Sequence, residues 1–383
     1  MNFFDQPLSQ FPLTSVSDYR LMAKKRVPQQ LFDFLEGGSF DEMTIRRNTE
    51  DFQKIHFKRR VLKDVSSIDM TTEIFGQKID FPLILAPVGF AGIYARRGEV
   101  QAAKAAAKAK IPFSLSTVSI CSIEEVAQNS SVPFWFQFYM FKDRGHSLDL
   151  LQRAHAADCP VLLMTVDLPI AGARYRYHRS RKSSRIANFL DGIFHLNWWI
   201  DVRLRGLPLT IGNMPSSAPA LQDLSNMRKW MGNQLSQNVS WKDFEWVREH
   251  WKGKILIKGI LDPEDAVIAQ KVGADGIVVS NHGGRHIDGT LSTISALASI
   301  SDAVEGKLKV LLDGGITSGL DIVKAVALGA DACMIGKPWI YGLAARGEEG
   351  VGDILKILQN ELKIVMMHLG VSSIDNINRN LIH

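Results

Sequence analysis

Cysteine is scarce in this 383-residue chain: Cys121, Cys159 and Cys333 lie far apart, in no CxxC or other metal-type spacing. That excludes a disulfide framework and a thiolate metal site, and reads as small buried thiols in a reducing compartment. A run of ~20 apolar residues, the length a spanning helix needs, is also missing. The longest uncharged stretch of the first quarter, Phe81–Ala95, is interrupted by Pro82, Pro87, Gly89 and Gly92. No basic segment leading into an apolar one opens the sequence, so no secretory signal is expected. Excess charge is small: 45 Lys and Arg against 40 Asp and Glu give a net +5, with no extended basic face for nucleic acid. No internal repeat or low-complexity tract stands out. The expectation is a cytoplasmic protein, with attachment to the cytoplasmic face of the inner membrane left open.

What is there is rhythm. Residues 1–80 read as a helical extension. Val16–Asp18 start one helix through Tyr19–Lys25, and Pro28 opens a second over Gln29–Glu36, stopped by Gly37-Gly38. Phe57–Val61 and Thr72–Phe75 read as short strands. From Phe81 to about residue 370, short apolar runs alternate with amphipathic stretches. The runs are Leu83–Ala86, Phe113–Ser116, Phe134–Phe138, Val161–Val166, Ile255–Lys258, Gly276–Ser280, Val310–Leu312 and Cys333–Ile335. Such runs are the pattern of buried parallel strands. Arg97–Lys110, Ile123–Gln128, His146–Ala157, Pro263–Val272 and Leu320–Leu328 are among the helices between them. Eight units predict a closed α/β structure, a (β/α)8 TIM barrel in a single domain. The rhythm breaks once, at 169–240, which reads as a long excursion after the fourth barrel strand. It opens with RYRYHRSRKSSR, Arg174–Arg185, six cations and no acid, followed by FHLNWWI at Phe194–Ile200.

Polar residues gather where the apolar runs end, at the face where barrels of this kind carry their active sites. SNHGGRHIDG, Ser280–Gly289, is the sharpest segment. His282 is placed to move a proton and Arg285 to grip a carboxylate, a pairing suited to a 2-hydroxy acid. His286 lacks such support and reads as structural or exposed. LLDGGITSG at Leu311–Gly319 and MIGKP at Met334–Pro338 put glycine turns after the seventh and eighth barrel strands. Their backbone N–H groups and a helix N-terminus would face a phosphate. Lys258 ends a buried strand and is open to two readings, a Schiff-base nucleophile or a fixed cation facing a reduced flavin. Asp167 can orient a histidine. Arg174 and Arg176 either add a carboxylate contact or belong to the solvated basic run.

SNHGGRHIDG, LDGGITSG, TVDLPIAGAR, LIKGI, WFQFY and LILAPVG together resemble the FMN-dependent 2-hydroxy-acid-oxidizing enzymes, over about Tyr19–Ile377. ARRGEVQAAKAA, FSLSTVSICSIEEVA, SWKDFEWVREHW and KGILDPEDA are most similar to the bacterial respiratory L-lactate dehydrogenases within that family. The resemblance implies FMN, and oxidation of L-lactate to pyruvate with electrons passed to a quinone or cytochrome. It makes His282 the base and Asp167 its partner. Arg174 and Arg285 become the carboxylate clamp, with Tyr139 near the substrate hydroxyl and Lys258 beside the flavin. Ala86, Pro87, Val88, Ser116, Gln137, Thr165 and Ser280 would meet the flavin. Asp313, Gly314, Gly315, Gly336 and Lys337 would surround its ribityl phosphate. A homotetramer is implied as well. An oxygen-using hydroxy-acid oxidase, or an aldolase built on Lys258, are the competing activities.

Three departures from the family pattern matter. Phe34 stands where a substrate-binding Tyr is usual, Thr317 where the seventh turn usually has Arg, and Lys337 where the eighth has Arg. A lysine keeps the charge but not the two-pronged geometry. The basic and aromatic stretch 174–200 suits a membrane surface with anionic headgroups.

Overall fold

Leucine, isoleucine and valine dominate eight short strands that pair in parallel around a ring. The computed structural model describes residues 13–181, 195–207, 209–214 and 230–383. A hairpin, β1 (Thr72–Ile74) and β2 (Gln77–Ile79), precedes the ring. The ring itself comprises β3 (Leu83–Leu85), β4 (Ser114–Ser116), β5 (Trp135–Phe138), β6 (Val161–Thr165), β7 (Lys254–Ile260), β8 (Gly276–Val279), β9 (Lys309–Asp313) and β10 (Ala332–Ile335). The strands follow the order β3-β10-β9-β8-β7-β6-β5-β4. A parallel bridge between Leu85 and Phe113 brings the two ends of that order together. All eight coincide with the apolar runs of the sequence to within a few residues, and the chain folds as a (β/α)8 barrel.

A strand turns successive side chains to opposite faces. Ile84, Trp135, Val161, Leu163, Leu256, Val278, Leu311 and Met334 therefore fill the barrel interior as one buried cluster. Their alternates, among them Leu162, Ile257, Ile277, Val310, Leu312 and Ile335, pack outward in the cluster shared with the helices. The hairpin seals one end of the interior. Phe75 and Gly76 both take positive φ at its tip, as a two-residue turn with matching strand twist requires. Ile74 and Ile79 join the inner cluster, and Phe75 meets Trp135 at the base of β5 with ring centres 6.2 Å apart. With that end plugged by apolar side chains, a ligand has only the carboxyl end of the barrel to enter.

Two helices of the extension, Val16–Arg26 and Gln29–Glu36, form as the sequence predicts. Ser15 caps the first through a reciprocal pair with Asp18. The predicted strand at Phe57–Val61 does not form: Phe57 alone bridges to Ile382. The last residues pack against this stretch, so its backbone groups are met by the chain terminus, with Lys58 N–H donating to the Leu381 carbonyl at 2.8 Å. Four further helices, Met43–Gln53, Trp241–His250, Thr293–Val304 and Lys337–Leu369, were not named from the sequence. The last is broken at Gly347, whose φ of +64° interrupts the helical path.

Several described parts of the excursion after β6 pack against the barrel. Tyr175–Arg181 is helical. The Asn213 carboxamide accepts from Ile123 N–H at 2.9 Å. Trp198, expected at a membrane surface, is instead buried and donates its indole N–H to the Ile93 carbonyl at 2.8 Å. Arg174 is likewise buried, which removes the solvated reading of it and leaves the carboxylate contact. Phe194 and the run beyond Arg181 fall outside the described residues.

Candidate active site

The same pleat that fills the barrel builds the site. Two residues beyond the inner apolar layer, it turns Ala86, Ser116, Gln137, Thr165, Lys258, Ser280 and Asp313 toward the carboxyl mouth of the barrel. In register, Ser116 stands beside Gln137 and Thr165 beside Lys258. These residues, Ser280 excepted, help line a cavity of about 1210 Å3 that also touches Pro87, Val88, Phe34, Tyr139, Arg174, His282, Arg285, Gly314, Gly315, Gly336 and Lys337. Small-ligand pockets commonly span ~300–1000 Å3, so a mononucleotide and a small acid fit together here. Every residue singled out in the sequence for cofactor or substrate thus comes to one chamber or its wall.

Charges buried at this depth need partners. Lys258 Nζ lies 2.6 Å from an Asp313 carboxylate oxygen and donates to Ser280 Oγ at 2.8 Å. This is the setting of a fixed cation and not of the neutral amine a Schiff base requires. Asp167 Oδ1 lies 2.8 Å from His282 Nδ1. Burial alone would raise the Asp167 pKa, but the charge and hydrogen bond of His282, with Lys258 and His286, hold it well below the usual carboxylate range. The imidazole thus presents its other nitrogen to the chamber beside a permanent negative charge. Gly259 makes this pair possible. It forms a bulge in β7 with φ +117°, and a Cβ there would sit 2.6 Å from the Asp167 Cβ. Tyr139, pushed up by burial and by the nearby Asp167, keeps its phenolic proton and remains a donor.

Three cations converge on one helix end. Arg174 donates to the Phe34 and Gly37 carbonyls. Arg285 donates to Leu35 at 2.8 Å and to Phe34 at 3.0 Å. Lys337 donates to the Glu36 carbonyl at 2.9 Å. The Gln29–Glu36 helix leaves its last carbonyls without helical partners and carries partial negative charge there. The Phe34 ring, with no hydroxyl to offer, lies below both guanidiniums at 4.7 and 5.5 Å. It attracts them through its face instead. The Glu36 side chain adds a buried acid: burial pushes its pKa up, but Arg20, Lys337 and Tyr341 outweigh this and hold it low.

The donors and acceptors fit a flavin mononucleotide. Gln137 holds Ser116 at 3.2 Å and Thr165 at 3.1 Å, an arrangement of paired donors and acceptors suited to the edge of a polar ring. Asp313 Oδ1 is buried and unpartnered in the structure, an acceptor placed for a ribityl hydroxyl. Gly314 and Gly315 adopt φ of +90° and +91°. The seventh turn nevertheless departs from expectation. Asp321 takes the backbone N–H groups of Thr317 and Ser318 at 2.9 and 3.0 Å, and Glu361 takes that of Gly319 at 2.8 Å. The chain's own carboxylates thereby cap the helix end that the glycine pattern offered to a phosphate. The Gly314-Gly315 and Gly336-Lys337 turns remain for that role. Asn48, Glu36 and Tyr341 were not singled out from the sequence. Asn48 and Asn281 exchange side-chain hydrogen bonds at 2.8 and 2.7 Å, and only an asparagine inside the unrecognised Met43–Gln53 helix marked the contact.

A model of the FMN-dependent dehydrogenase family matches residues 23–383. The chain is 48% identical to the L-lactate dehydrogenase of Alcaligenes faecalis over 373 residues, 97% of this chain and 98% of that protein. It is 50% identical to the L-lactate dehydrogenase of Haemophilus influenzae (strain PittEE) over 357 residues, 92% of this chain and 94% of that protein. Among solved structures it is similar to a monotopic membrane protein, (S)-mandelate dehydrogenase. The TM-score is 0.92, with 35% identity over 97% of this chain and 100% of the other. A mandelate oxidase with (S)-2-phenylpropionate superposes with a TM-score of 0.82, 33% identity and coverage of 97% and 98%.

Lys337 provides a pH test of the phosphate end. Burial, aided by Arg285 and Arg174 and opposed by Glu36, pushes its pKa down to about 7. A phosphate beside it favours the charged form, so above that value binding must take up a proton. FMN affinity of the flavin-free protein is expected to fall as pH rises from 7 to 9, by up to tenfold per unit for one proton. Fluorescence quenching of FMN measures this. Lys337→Arg, charged throughout, should flatten the profile; equal slopes in both proteins would remove Lys337 from the phosphate site.

Proposed function

This chain is a member of the FMN-dependent dehydrogenase family, and on that premise we propose that it oxidises L-lactate to pyruvate. The observation that carries this is the Asp167–His282 pair at 2.8 Å in one chamber with Arg174 and Arg285. A 2-hydroxy acid needs one group to take a proton and another to hold its carboxylate, and this chamber has both. FMN, when bound, would supply the acceptor for the two electrons that leave the substrate carbon and for the second hydrogen lost with them. His282 takes the proton at the nitrogen facing the chamber, and Asp167 on Nδ1 stabilises the imidazolium that results. Arg174 and Arg285, with their guanidiniums braced on the helix end, orient the carboxylate. Tyr139 donates toward the substrate hydroxyl. Lys258 supplies positive charge at the flavin. The high identity to L-lactate dehydrogenases supports lactate as the acid.

The electrons pass on to a quinone or cytochrome, and a membrane surface serves that transfer. Among the described residues no helix is long and apolar enough to cross a membrane. Leu196, Trp199, Leu204 and Leu207 are exposed, with Arg203 and Arg205 exposed among them. Apolar side chains flanked by cations suit the interface of an anionic bilayer, and the similar mandelate dehydrogenase is a monotopic membrane protein. The protein acts as a homo-oligomer, a tetramer on the family resemblance. Sedimentation with anionic vesicles should carry the protein down, and Leu204→Asp together with Leu207→Asp should release it; equal sedimentation of that variant would exclude this surface.

His282→Ala tests the chemistry. The variant should keep its flavin and lose turnover by about 10²–10⁴-fold, the span a positioned base contributes. Turnover within a fewfold of the unaltered enzyme would remove His282 from the proton transfer.

A further inference from the structure

His286 read from the sequence as a structural or exposed histidine. The structure puts it against the catalytic pair. Its side chain is 14% exposed, and its Nδ1 lies 2.7 Å from the Asp167 backbone carbonyl. Its ring centre is 3.8 Å from that of His282, with the planes 37° apart. Asp167 therefore engages two imidazoles, His282 through its carboxylate and His286 through its main chain. A carbonyl only accepts, so Nδ1 of His286 carries the proton, and its tautomer is fixed.

The charged and titratable neighbours are few and identifiable. Asp167 reaches the pair from the turn after β6, Lys258 from β7 and Tyr139 from the end of β5. Arg285 comes from the pair's own loop. Burial drives the His286 pKa down to about 3, with His282 and Arg285 adding to the effect and Asp167 opposing it. At neutral pH His286 is thus an uncharged aromatic ring stacked on the base. An imidazolium formed at His282 meets the face of a neutral π system, which attracts cations. A charged neighbour in the same place would repel it.

We propose that His286 is a positioning residue for proton transfer: its ring supports the protonated form of His282, and its Nδ1–H clamps the backbone of Asp167. The inference rests on His282 being the base. Three variants separate the two contacts. His286→Gln keeps an N–H donor without the ring, His286→Phe keeps the ring without the donor, and His286→Leu keeps neither.

The measurement is the pH profile of kcat/KM for L-lactate in the flavin-loaded enzyme. It is paired with an NMR titration of the His282 Cε1–H, which reads the same ionisation without turnover. Loss of a cation–π contact worth ~0.5–1 kcal/mol corresponds to about half a pH unit. In the Gln and Leu variants the acid limb and the NMR midpoint should move down by about that much or more, with the plateau reduced severalfold. In the Phe variant the midpoint should stay near that of the unaltered enzyme, while the plateau falls through the loosened Asp167. If Leu fails to fold, the Gln–Phe contrast decides alone. Midpoints unchanged in Gln, or shifted equally in Gln and Phe, would overturn the inference. Activity surviving in His282→Ala would instead overturn the base assignment on which it stands.

Discussion

A charge moved out of water must find a partner, and that constraint organises the carboxyl face of this barrel. Lys258 meets Asp313, and Asp167 meets His282. Arg174, Arg285 and Lys337 meet the carbonyls that end the Gln29–Glu36 helix. Each pairing also fixes a position: the cations stand where an anionic acid and a phosphate would need them, already oriented by protein groups. The desolvation cost of several buried ions is high. The chamber therefore trades stability for geometry held ready before a ligand enters, as electrostatic preorganisation requires.

The helix at Gln29–Glu36 belongs to the site as much as the barrel strands do. Its end brings a partial negative charge and an aromatic face to the two arginines, and through Glu36 it reaches Arg20 and Tyr341. Phe34 in place of a phenol changes the chemistry of the chamber without emptying it. The missing hydroxyl is offset in part by ring faces that hold both guanidiniums. At the phosphate end, Thr317 turns to Asp321, leaving Lys337 as the cation that follows the eighth barrel strand. With one lysine of depressed pKa in this turn where the family pattern has arginines, FMN affinity is expected to respond to pH.

Much of this was legible in the sequence, and for a physical reason. Parallel strands buried on both faces must be short, apolar and β-branched, so Leu83–Ala86 through Cys333–Ile335 announced themselves. The site residues end those runs because the strand pleat leaves them no other direction. What escaped depended on contacts between distant segments. The Met43–Gln53 helix begins after a residue with positive φ, Glu42, and has no side-chain cap, so no local signal marked it. Its Asn48 gains meaning only from Asn281, 233 residues away. His286 looked unsupported because its partner is a backbone carbonyl. Trp198 looked like a surface group because composition cannot tell a basic, aromatic loop that faces lipid from one folded back on its own barrel.

The proposed oxidation of L-lactate requires that this chamber couple a proton-accepting histidine to a flavin. Anaerobic titration of the purified, FMN-loaded protein with L-lactate, followed by visible absorbance, tests it most directly. The oxidised-flavin bands should bleach with L-lactate, with pyruvate formed in equal amount. Bands that persist through saturating L-lactate, in a protein that holds its FMN, would contradict it.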